Sequence, residues 1–291
     1  MKNNAIFNAA LVVSLVSITN CATNVQSGLE RKLLKYPVVL VHGIAANDRT
    51  SFFDFWGRIP VVLRKEGVQV FFGNTDAWGS YESNAIILKN TIEKILEETQ
   101  AEKVNIIAHS KGGIDSRYLI WRHGFGDRVA SLTTVSTPHH GAELADLISG
   151  QDIIYSKPAS QALEVFGKLY GDIHPDLYAV LRQLTTGNMR VFNQTVMEDE
   201  RVHYQSLYTV MNSPIDDLLF SPTFLYIQKI SGPNDGVVSE KSATWGINPR
   251  KIVNKGISHR QNIDIQKRKV SGVNVPLIYV DIIHELASKG F

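Results

Sequence analysis

Cysteine is nearly absent from this sequence of 291 residues, in which Cys21 is the only example. A single thiol excludes an intramolecular disulfide. An excess of charge of one sign is also missing, since charged residues make up 20% of the chain and the formal net charge is +2. Proteins that bind nucleic acid usually carry a concentrated basic face, which this composition does not indicate. Internal repeats and low-complexity tracts are lacking as well, which argues against a repeat architecture.

The apolar content is what the sequence has in quantity. Apolar residues make up 44% of the chain, enough to bury a substantial core. The length suits one large domain or two small ones.

The N-terminus has the pattern of an export signal. A lysine precedes a mostly apolar run at 5–18, which is too short to span a bilayer well. Cys21 follows at the position of the lipidated cysteine of bacterial lipoproteins, although Asn20 is larger than the residue usual before that cysteine. We predict a signal peptide at 1–21 and a polar tether at 22–34, so that the protein is secreted or held in the cell envelope. Lipidation of Cys21 and ordinary cleavage nearby remain the two alternatives.

Short apolar runs alternate with helical patterns along the rest of the chain. The runs are rich in β-branched residues and bounded by glycine, proline or asparagine, which predicts strands. The predicted strands are 36–41, 68–72, 104–108, 129–135, 224–230 and 251–253. The predicted helices are 56–66, 83–99 and 112–122, with a terminal helix or extended run at 275–289. This alternation predicts an α/β fold with a doubly wound, mostly parallel sheet.

Residues 142–208 interrupt the alternation with helical pieces, glycines and mixed polarity. Because they lie between the fourth and fifth predicted strands, we predict an inserted cap or lid. Plain surface helices are the alternative. The expected organisation is one α/β domain over 35–291 that carries this insertion.

The strongest motif is 104–113, in which an apolar strand runs into Ser110 and then into a helix. A nucleophile on so sharp a turn needs small residues two positions before and two positions after it. Ala108 and Gly112 meet this demand, although Ala108 departs from the usual glycine. The helix N-terminus also favours negative charge that develops beside it. The pattern predicts that Ser110 is a catalytic nucleophile; a serine that only caps an ordinary helix is the alternative.

A second motif, His42-Gly43, ends the first predicted strand. In folds that use such a nucleophile turn, the loop after this strand supplies one N–H of the oxyanion hole. Gly43 allows the tight turn that aims the next N–H inward, so Ile44 is the expected donor. The N–H of Lys111, directly after the nucleophile, is the expected second donor. His42 precedes the glycine, a place that favours a structural role over that of a catalytic base.

The acid and the base of such a site should follow in the order Ser, Asp or Glu, then His. Asp235 lies on a turn rich in glycine, proline and asparagine after the predicted strand 224–230. A doubly wound sheet gathers its site residues at such strand ends. His259 lies in a loop past the predicted strand 251–253. We predict that His259 is the general base for Ser110 and that Asp235 accepts a hydrogen bond from its imidazole.

Other residues compete for both roles. The competing acids are Asp216, Asp217 and Asp264. Among the nine histidines, His109 neighbours the nucleophile and is expected to point elsewhere. His139 and His140 follow the fourth predicted strand, where they are loop residues that could line the site. Three further histidines lie in the predicted cap or on the terminal segment: His174, His203 and His284.

Several stretches match one family of enzymes. They read Tyr-Pro-Val-Val-Leu-Val-His-Gly at 36–43, Phe-Trp-Gly at 55–57, Asn-Ile-Ile-Ala-His-Ser-Lys-Gly-Gly at 105–113, Thr-Pro-His-His-Gly at 137–141 and Asn-Asp-Gly at 234–236. These stretches resemble the secreted bacterial triacylglycerol lipases of the Pseudomonas, Burkholderia and Proteus group. The resemblance implies an α/β-hydrolase fold and a lid that opens at a lipid–water interface. It also implies the triad and the oxyanion donors already singled out: Ser110, Asp235, His259, Ile44 and Lys111.

The sequence departs from that family at the calcium site which the resemblance implies. The family uses an Asp before the acid and a second Asp two residues after the catalytic His. Asp216 or Asp217 could supply the first ligand, but Gln261 stands at the second position, and a neutral amide is a weaker ligand for calcium. Lys111 also stands where these lipases often carry His, and the cysteine pair found in some of them is missing. We expect that no cofactor is required, with a structural calcium as the less favoured alternative.

These features predict a serine-dependent carboxylic ester hydrolase, a triacylglycerol lipase or lipid esterase that acts through an acyl-enzyme. An acyltransferase or phospholipase with the same triad is one alternative. A non-catalytic surface lipoprotein that keeps the fold for binding is another, although such a protein has no reason to retain Ser, Asp and His together. The expected partner is a lipid or ester substrate at a lipid–water interface, with membrane attachment through a lipidated Cys21.

Overall fold

The computed structural model describes residues 33–45, 48, 54–150 and 172–291. The predicted signal peptide at 1–21, with Cys21, lies outside the described residues, as does nearly all of the predicted tether. Residues 151–171 of the predicted cap also lie outside them.

A six-stranded sheet forms the centre of the described body. Its strands are β1 (Val38–Val41), β2 (Val70–Phe72), β3 (Val104–His109), β4 (Val129–Val135), β5 (His203–Tyr208) and β6 (Arg250–Lys251). The spatial order is β2-β1-β3-β4-β5-β6, and all neighbouring strands are parallel. Because β3 lies near the middle of a parallel sheet, the residues that follow its carboxyl end meet those that follow β1 and β4.

Helices cover both faces of this sheet. They are α1 (Ile59–Lys65), α2 (Tyr81–Thr99), α3 (Lys111–His123), α4 (Glu143–Ser149), α5 (Leu177–Gln183), α6 (Thr186–Thr195), α7 (Ser221–Ser231), α8 (Glu240–Ala243) and α9 (Val275–Lys289). Local chemistry sets their ends; α2, for example, begins after Ser80, whose side chain accepts a hydrogen bond from the Ser83 N–H. None of the helices in the described ranges combines the length and apolar character that crossing a bilayer requires.

The side chains of β1 alternate between two cores. Val38 and Leu40 pack with α1 and α9 on one face of the sheet. Val39 and Val41 pack with α2 and α3 on the other face. Successive side chains of a strand point to opposite faces, so a strand covered on both sides must be apolar at every position. This explains the continuous apolar run at 38–41.

The predicted strand at 224–230 is wrong, because these residues belong to helix α7. A short apolar run does not by itself distinguish a strand from a helix. Pro222 lies in the first turn of the helix, where its missing N–H costs nothing. Phe224 and Ile227 are buried, whereas Leu225 and Ile230 are about half exposed, at 54% and 51%. The buried positions are therefore three apart, which is helical spacing.

The fifth strand of the sheet is β5, which lies within the stretch predicted as the end of the cap. Its sequence, His-Tyr-Gln-Ser-Leu-Tyr, contains no short apolar run and carries polar side chains at buried positions. Gln205 donates a hydrogen bond to the Thr133 hydroxyl at 2.8 Å, and Ser206 donates one to the Trp245 carbonyl at 2.6 Å. These bonds satisfy the polar groups inside the sheet, so the strand needs no apolar pattern.

The described part of the predicted cap before β5 consists of α4, α5 and α6. Their apolar side chains pack together over Ile114 of α3, with Val180 and Met189 fully buried. The insertion therefore ends before residue 203, not at 208. Its role as a lid stays a prediction.

Two positions on α2 test the packing of the core between the sheet and helices α2 and α3. Leu88 is fully buried, whereas Ile86 on the same helix is 52% exposed. We expect Leu88→Ala to lower the free energy of unfolding by about 2–5 kcal/mol, because it leaves a cavity between helix and sheet. The matched variant Ile86→Ala should change it by less than about 0.5 kcal/mol. Urea unfolding followed by circular dichroism measures both; equal losses would contradict this packing.

Candidate active site

Ser110 occupies the sharp turn between β3 and α3. Its backbone has φ 53° and ψ −132°, a region that residues other than glycine rarely adopt. Hydrogen bonds hold the turn on both sides. The Ser110 N–H donates to the Val135 carbonyl at 2.9 Å, and the Ser110 carbonyl accepts from the Thr137 hydroxyl at 2.7 Å. The strained conformation predicted for a nucleophile is therefore present at this residue.

Close backbone contacts explain the small residues around this turn. A Cβ atom on Gly43 would lie 2.7 Å from the Cβ of Ser110. A Cβ atom on Gly112 would lie 2.4 Å from the carbonyl oxygen of His42. Both contacts are far below van der Waals distance, so the two loops can approach each other only with glycine at these positions. Ala108, the one departure from the usual glycine, is fully buried within β3.

The two expected oxyanion donors lie on either side of this contact. Ile44 follows Gly43 in the loop after β1, and Lys111 is the first residue of α3. The neighbouring Ala45 N–H donates to the Ala77 carbonyl at 3.2 Å, which fixes the loop. Within the described residues, the N–H groups of Ile44 and Lys111 make no bond to another loop or strand. Their role as donors to an oxyanion stays a prediction.

Asp235 and His259 form a hydrogen-bonded pair, although 24 residues separate them in sequence. The imidazole Nδ1 lies 2.8 Å from Asp235 Oδ2, and the His259 N–H donates to the Asp235 carbonyl at 2.9 Å. The other carboxylate oxygen, Oδ1, accepts hydrogen bonds from the Val237 and Val238 N–H groups at 3.0 and 2.8 Å. Because the carboxylate requires a proton on Nδ1, this pairing leaves Nε2 as a proton acceptor.

The competing acids have other partners. Asp264 binds the guanidinium of Arg58 at 2.7 and 2.8 Å. Asp217 binds the guanidinium of Arg260 at 2.7 and 2.8 Å. Asp216 accepts hydrogen bonds from N–H groups of its own turn. Of the four candidates, Asp235 is the one whose carboxylate bonds to the imidazole of the predicted base.

His109 contacts the predicted base, a contact that sequence reasoning missed. Its ring centroid lies 4.5 Å from that of His259, and its Nε2 lies 3.1 Å from the His259 carbonyl oxygen. Burial lowers the pKa of His109 well below its usual value, so the ring is neutral and Nε2–H donates to that carbonyl. The alternation of side chains along β3 could have predicted this orientation. His109 is two residues after Ile107 and therefore points to the same face of the sheet, the face covered by α1 and α9.

His139 is a buried structural residue, and His140 beside it is exposed. The His139 ring stacks on Trp245 at a centroid distance of 4.4 Å. Burial, reinforced by the charge of Arg117, lowers its pKa well below the usual value. The neutral ring accepts from Arg117 at Nδ1, 3.2 Å away, and donates from Nε2 to the Thr134 hydroxyl at 2.9 Å.

In the described part of the chain, four further histidines make no hydrogen bond to Asp235. His42 is buried, and its Nε2 lies 3.1 Å from the Thr75 carbonyl oxygen. His203 begins β5 and therefore belongs to the sheet, not to the cap. His284 lies on α9, and His174 is exposed.

A buried ion pair lies one residue beyond the predicted nucleophile. Lys111 Nζ lies 2.6 Å from Asp115 Oδ1, and both side chains are almost fully buried. Asn84 donates a hydrogen bond to the other carboxylate oxygen at 2.9 Å. Burial raises the pKa of the Asp115 carboxyl, and the charge of Lys111 opposes that shift. The Lys111 side chain is thus bound to Asp115 of α3, which is in turn bound to Asn84 of α2. The spacing of four residues between Lys111 and Asp115 could have predicted the ion pair from the sequence.

The three candidate calcium ligands are bound to protein groups. Asp217 accepts from Arg260 and, at 2.7 Å, from the Ser258 hydroxyl. Burial alone would raise the pKa of the Asp217 carboxyl, but these hydrogen bonds outweigh it and lower the pKa. Gln261 accepts from the Ser258 N–H and donates to the Asp216 carbonyl, both at 2.9 Å. A guanidinium beside Asp217 and an amide already in use do not fit a calcium site. In the described ranges, no group of three or more His, Cys, Asp or Glu side chains is arranged to hold a metal ion.

Solved structures identify the fold of this protein. The match to a Bacillus licheniformis lipase in mature form covers 86% of this chain and 92% of the lipase, with 23% identity and a TM-score of 0.63. The match to the Staphylococcus hyicus lipase covers 90% of this chain and 98% of the lipase, with 18% identity and a TM-score of 0.70. The chain therefore has the α/β-hydrolase fold, and the fold prediction is confirmed.

The sequence also identifies the family. Residues 37–199 match the palmitoyl protein thioesterase family, and this match spans more than half of the chain. The chain belongs to that family.

Curated relatives extend the likeness to lipases. A triacylglycerol lipase of Pseudarthrobacter phenanthrenivorans is 34% identical over 174 residues, 55% of this chain and 53% of the relative. A triacylglycerol lipase of Burkholderia plantarii is 34% identical over 55% of this chain and 48% of the relative. Triacylglycerol lipase 2 of Saccharomyces cerevisiae is 31% identical over 66% of this chain and 57% of the relative. The matched region thus spans about half the length of the first two relatives. The predicted likeness to lipases and esterases is confirmed at this level.

The buried His139 predicts a defined pH dependence of stability. Its pKa in the folded protein lies well below 6.5, so the unfolded chain binds this proton first as the pH falls. The free energy of unfolding should therefore decrease below pH 6.5, by up to about 1.4 kcal/mol per pH unit for one proton. We expect His139→Asn to be less stable at pH 8 and to show a shallower decline between pH 6.5 and 5. Urea unfolding across this range measures it; a variant with the wild-type slope would contradict a neutral, buried His139.

Proposed function

We propose that this protein is a serine-dependent carboxylic ester hydrolase, a triacylglycerol lipase or lipid esterase. The observation that carries the proposal is the Asp235–His259 hydrogen bond, whose imidazole contacts His109, the residue directly before the strained turn at Ser110. A nucleophile, a base and an orienting acid are the groups that acyl transfer requires. The relatives named triacylglycerol lipase support an ester substrate.

Acylation begins at the hydroxyl of Ser110. His259 Nε2 takes the hydroxyl proton while Oγ attacks the ester carbonyl. The charge on Asp235 stabilises the imidazolium that forms and keeps its Nδ1 proton in place. The negative charge on the carbonyl oxygen is met by the N–H groups of Ile44 and Lys111 and by the N-terminus of α3. The C–O bond then breaks, and the alcohol leaves with the proton from His259.

Deacylation repeats these steps with water. His259 takes a proton from a water molecule that attacks the acyl-enzyme carbonyl. The bond to Ser110 Oγ breaks, the proton returns to that oxygen, and the carboxylic acid is released. The steps use no group beyond the side chains, the two N–H donors and water.

A thioester is the second candidate substrate, and the match to the palmitoyl protein thioesterase family favours it. The same triad would cleave a C–S bond through the same acyl-enzyme, with a thiol as leaving group. Acyltransfer to an alcohol and phospholipid cleavage also fit this chemistry, because they differ only in the acceptor or the leaving group.

We also propose that the protein is exported, as a secreted enzyme of the Pseudomonas and Burkholderia type or as a lipoprotein of the cell envelope. The pattern at 1–21 supports export, and the position of Cys21 supports lipidation. A lipid anchor would keep the enzyme at a lipid–water interface. Mass spectrometry of the N-terminal peptide from the native host tests this; an unmodified cysteine within an uncleaved chain would contradict it.

The first test of the proposed chemistry is labelling by a fluorophosphonate probe, which forms a covalent bond with an activated serine. We expect the wild-type protein to be labelled and to hydrolyse p-nitrophenyl esters. Ser110→Ala should abolish labelling and lower kcat at least about 1,000-fold, because it removes the nucleophile. Ser288→Ala, at an exposed position on α9, is the matched control and should behave as wild type. Full hydrolysis by Ser110→Ala would contradict the assignment.

A substrate panel tests the substrate class. We expect kcat/KM to be higher for long-chain acyl esters, presented as an emulsion, than for soluble butyryl esters. A palmitoyl thioester and a phospholipid vesicle complete the panel, with added alcohol to detect acyl transfer. A preference for butyryl esters would make the enzyme an esterase of soluble substrates. Cleavage of the thioester alone would replace the ester assignment.

A further inference from the structure

One buried carboxylate binds the residues on both sides of His259. The Ser258 hydroxyl donates to Asp217 Oδ2 at 2.7 Å. The guanidinium of Arg260 donates to Oδ2 and Oδ1 of the same carboxylate, at 2.7 and 2.8 Å. Asp217 is only 3% exposed, and Ser258 is fully buried. The chain segment that carries the imidazole is therefore held on its two flanks by a single charge.

Further hydrogen bonds join the same two segments. The Ile257 N–H donates to the Val210 carbonyl at 3.0 Å, and the Gln261 amide donates to the Asp216 carbonyl at 2.9 Å. The loop at 257–261 is thus attached along its length to the segment at 210–217. That segment follows β5 directly. The sheet therefore fixes the loop through Asp217 and its neighbours.

Arginine suits this position because its planar guanidinium bonds both oxygens of a carboxylate at once. A lysine would bring the same charge but a single point of contact. The paired hydrogen bonds restrict the direction of the Arg260 side chain as well as its distance from Asp217. The adjacent His259 backbone is restricted in turn.

We propose that Asp217 and Arg260 are positioning residues that hold the His259 loop in the orientation that proton transfer requires. This inference rests on the proposed function, because it assigns the clamped imidazole the role of base for Ser110. The guanidinium of Arg260 already supplies the positive charge beside Asp217, so the carboxylate needs no divalent cation as a partner. Hydrolysis should therefore be independent of calcium and dependent on Arg260.

Positioning can be separated from simple stabilisation by steady-state kinetics. A misplaced base slows the chemical step, whereas a general loss of folded protein lowers the amount of active enzyme without changing its properties. We expect Arg260→Gln to lower kcat for a soluble ester by roughly 10- to 100-fold, the range a small misplacement causes, with KM within about twofold. Arg260→Lys should fall between this variant and wild type, and Asp217→Asn should resemble Arg260→Gln.

The matched control is Arg201→Gln. Arg201 also binds a carboxylate through two hydrogen bonds, to Asp199 at 2.8 and 2.6 Å, but at the start of β5, the opposite end from the site. This variant should keep the wild-type kcat. Thermal unfolding of every variant establishes that assays are made on folded protein. Wild-type kcat should also be unchanged by excess EDTA, and added calcium should restore none of the activity of Arg260→Gln.

Three results would overturn the inference. One is a wild-type kcat in both Arg260→Gln and Asp217→Asn. Another is a loss of wild-type activity in EDTA that calcium reverses. The third is independent of activity: unchanged amide hydrogen exchange of peptides covering 256–262 in Arg260→Gln would show that the pair does not hold the loop. A different outcome is that the wild type takes no fluorophosphonate label but Arg260→Gln shows faster amide hydrogen exchange at 256–262. The Asp217–Arg260 pair then restrains the loop. In that case the proposed hydrolase function, and with it the catalytic role of the clamp, is overturned.

Discussion

The left-handed backbone at Ser110 is the constraint on which the rest of the site depends. A conformation of this kind costs of order 1–3 kcal/mol, and it persists only when the surrounding structure determines it. The central strand β3 enters the turn from one side, α3 leaves it on the other, and hydrogen bonds from Thr137 and to Val135 close it. Because Gly43 and Gly112 carry no Cβ, the loop after β1 can lie against the turn itself. The packing of three separate segments thus stores the strain at one residue and leaves its hydroxyl at the edge of the sheet.

The imidazole of His259 is restrained by a comparable convergence of segments. Its Nδ1 and its backbone N–H both bond to Asp235, and its carbonyl accepts from the neutral His109. The flanking residues bond to Asp217. Every polar group of the residue except Nε2 thus has a partner from another part of the chain. A side chain held in this way is preorganised, which is what the proposed role of His259 as a base requires.

The fold was predictable from the sequence where burial was apolar and continuous. The strand β1 is an unbroken apolar run because helices cover both of its faces, and β3 and β4 are mostly apolar or β-branched for the same reason. The prediction from apolar runs failed where buried side chains are polar or where exposed side chains are apolar. The strand β5 buries Gln205 and Ser206 through side-chain hydrogen bonds, and the short helix α7 leaves the apolar side chains of Leu225 and Ile230 about half exposed. Both errors moved the end of the predicted cap, because one strand was missed and a helix was taken in its place.

The sequence by itself determined the nucleophile turn, the glycines around it and the parallel sheet that supports them. Each of these features leaves a local pattern in the sequence, either a short apolar run or a strand that ends in small residues, so its physical demand is visible there. The sequence favoured Asp235 among four aspartates by its place on a turn, but only the tertiary structure shows that its carboxylate bonds to His259, since acids of equal chemistry differ in where packing places them. The tertiary structure also decided that Asp217 pairs with Arg260 and that His109 donates to the His259 carbonyl. Hydrogen bonds act over about 3 Å, and only the folded chain brings residues so far apart in sequence to that distance.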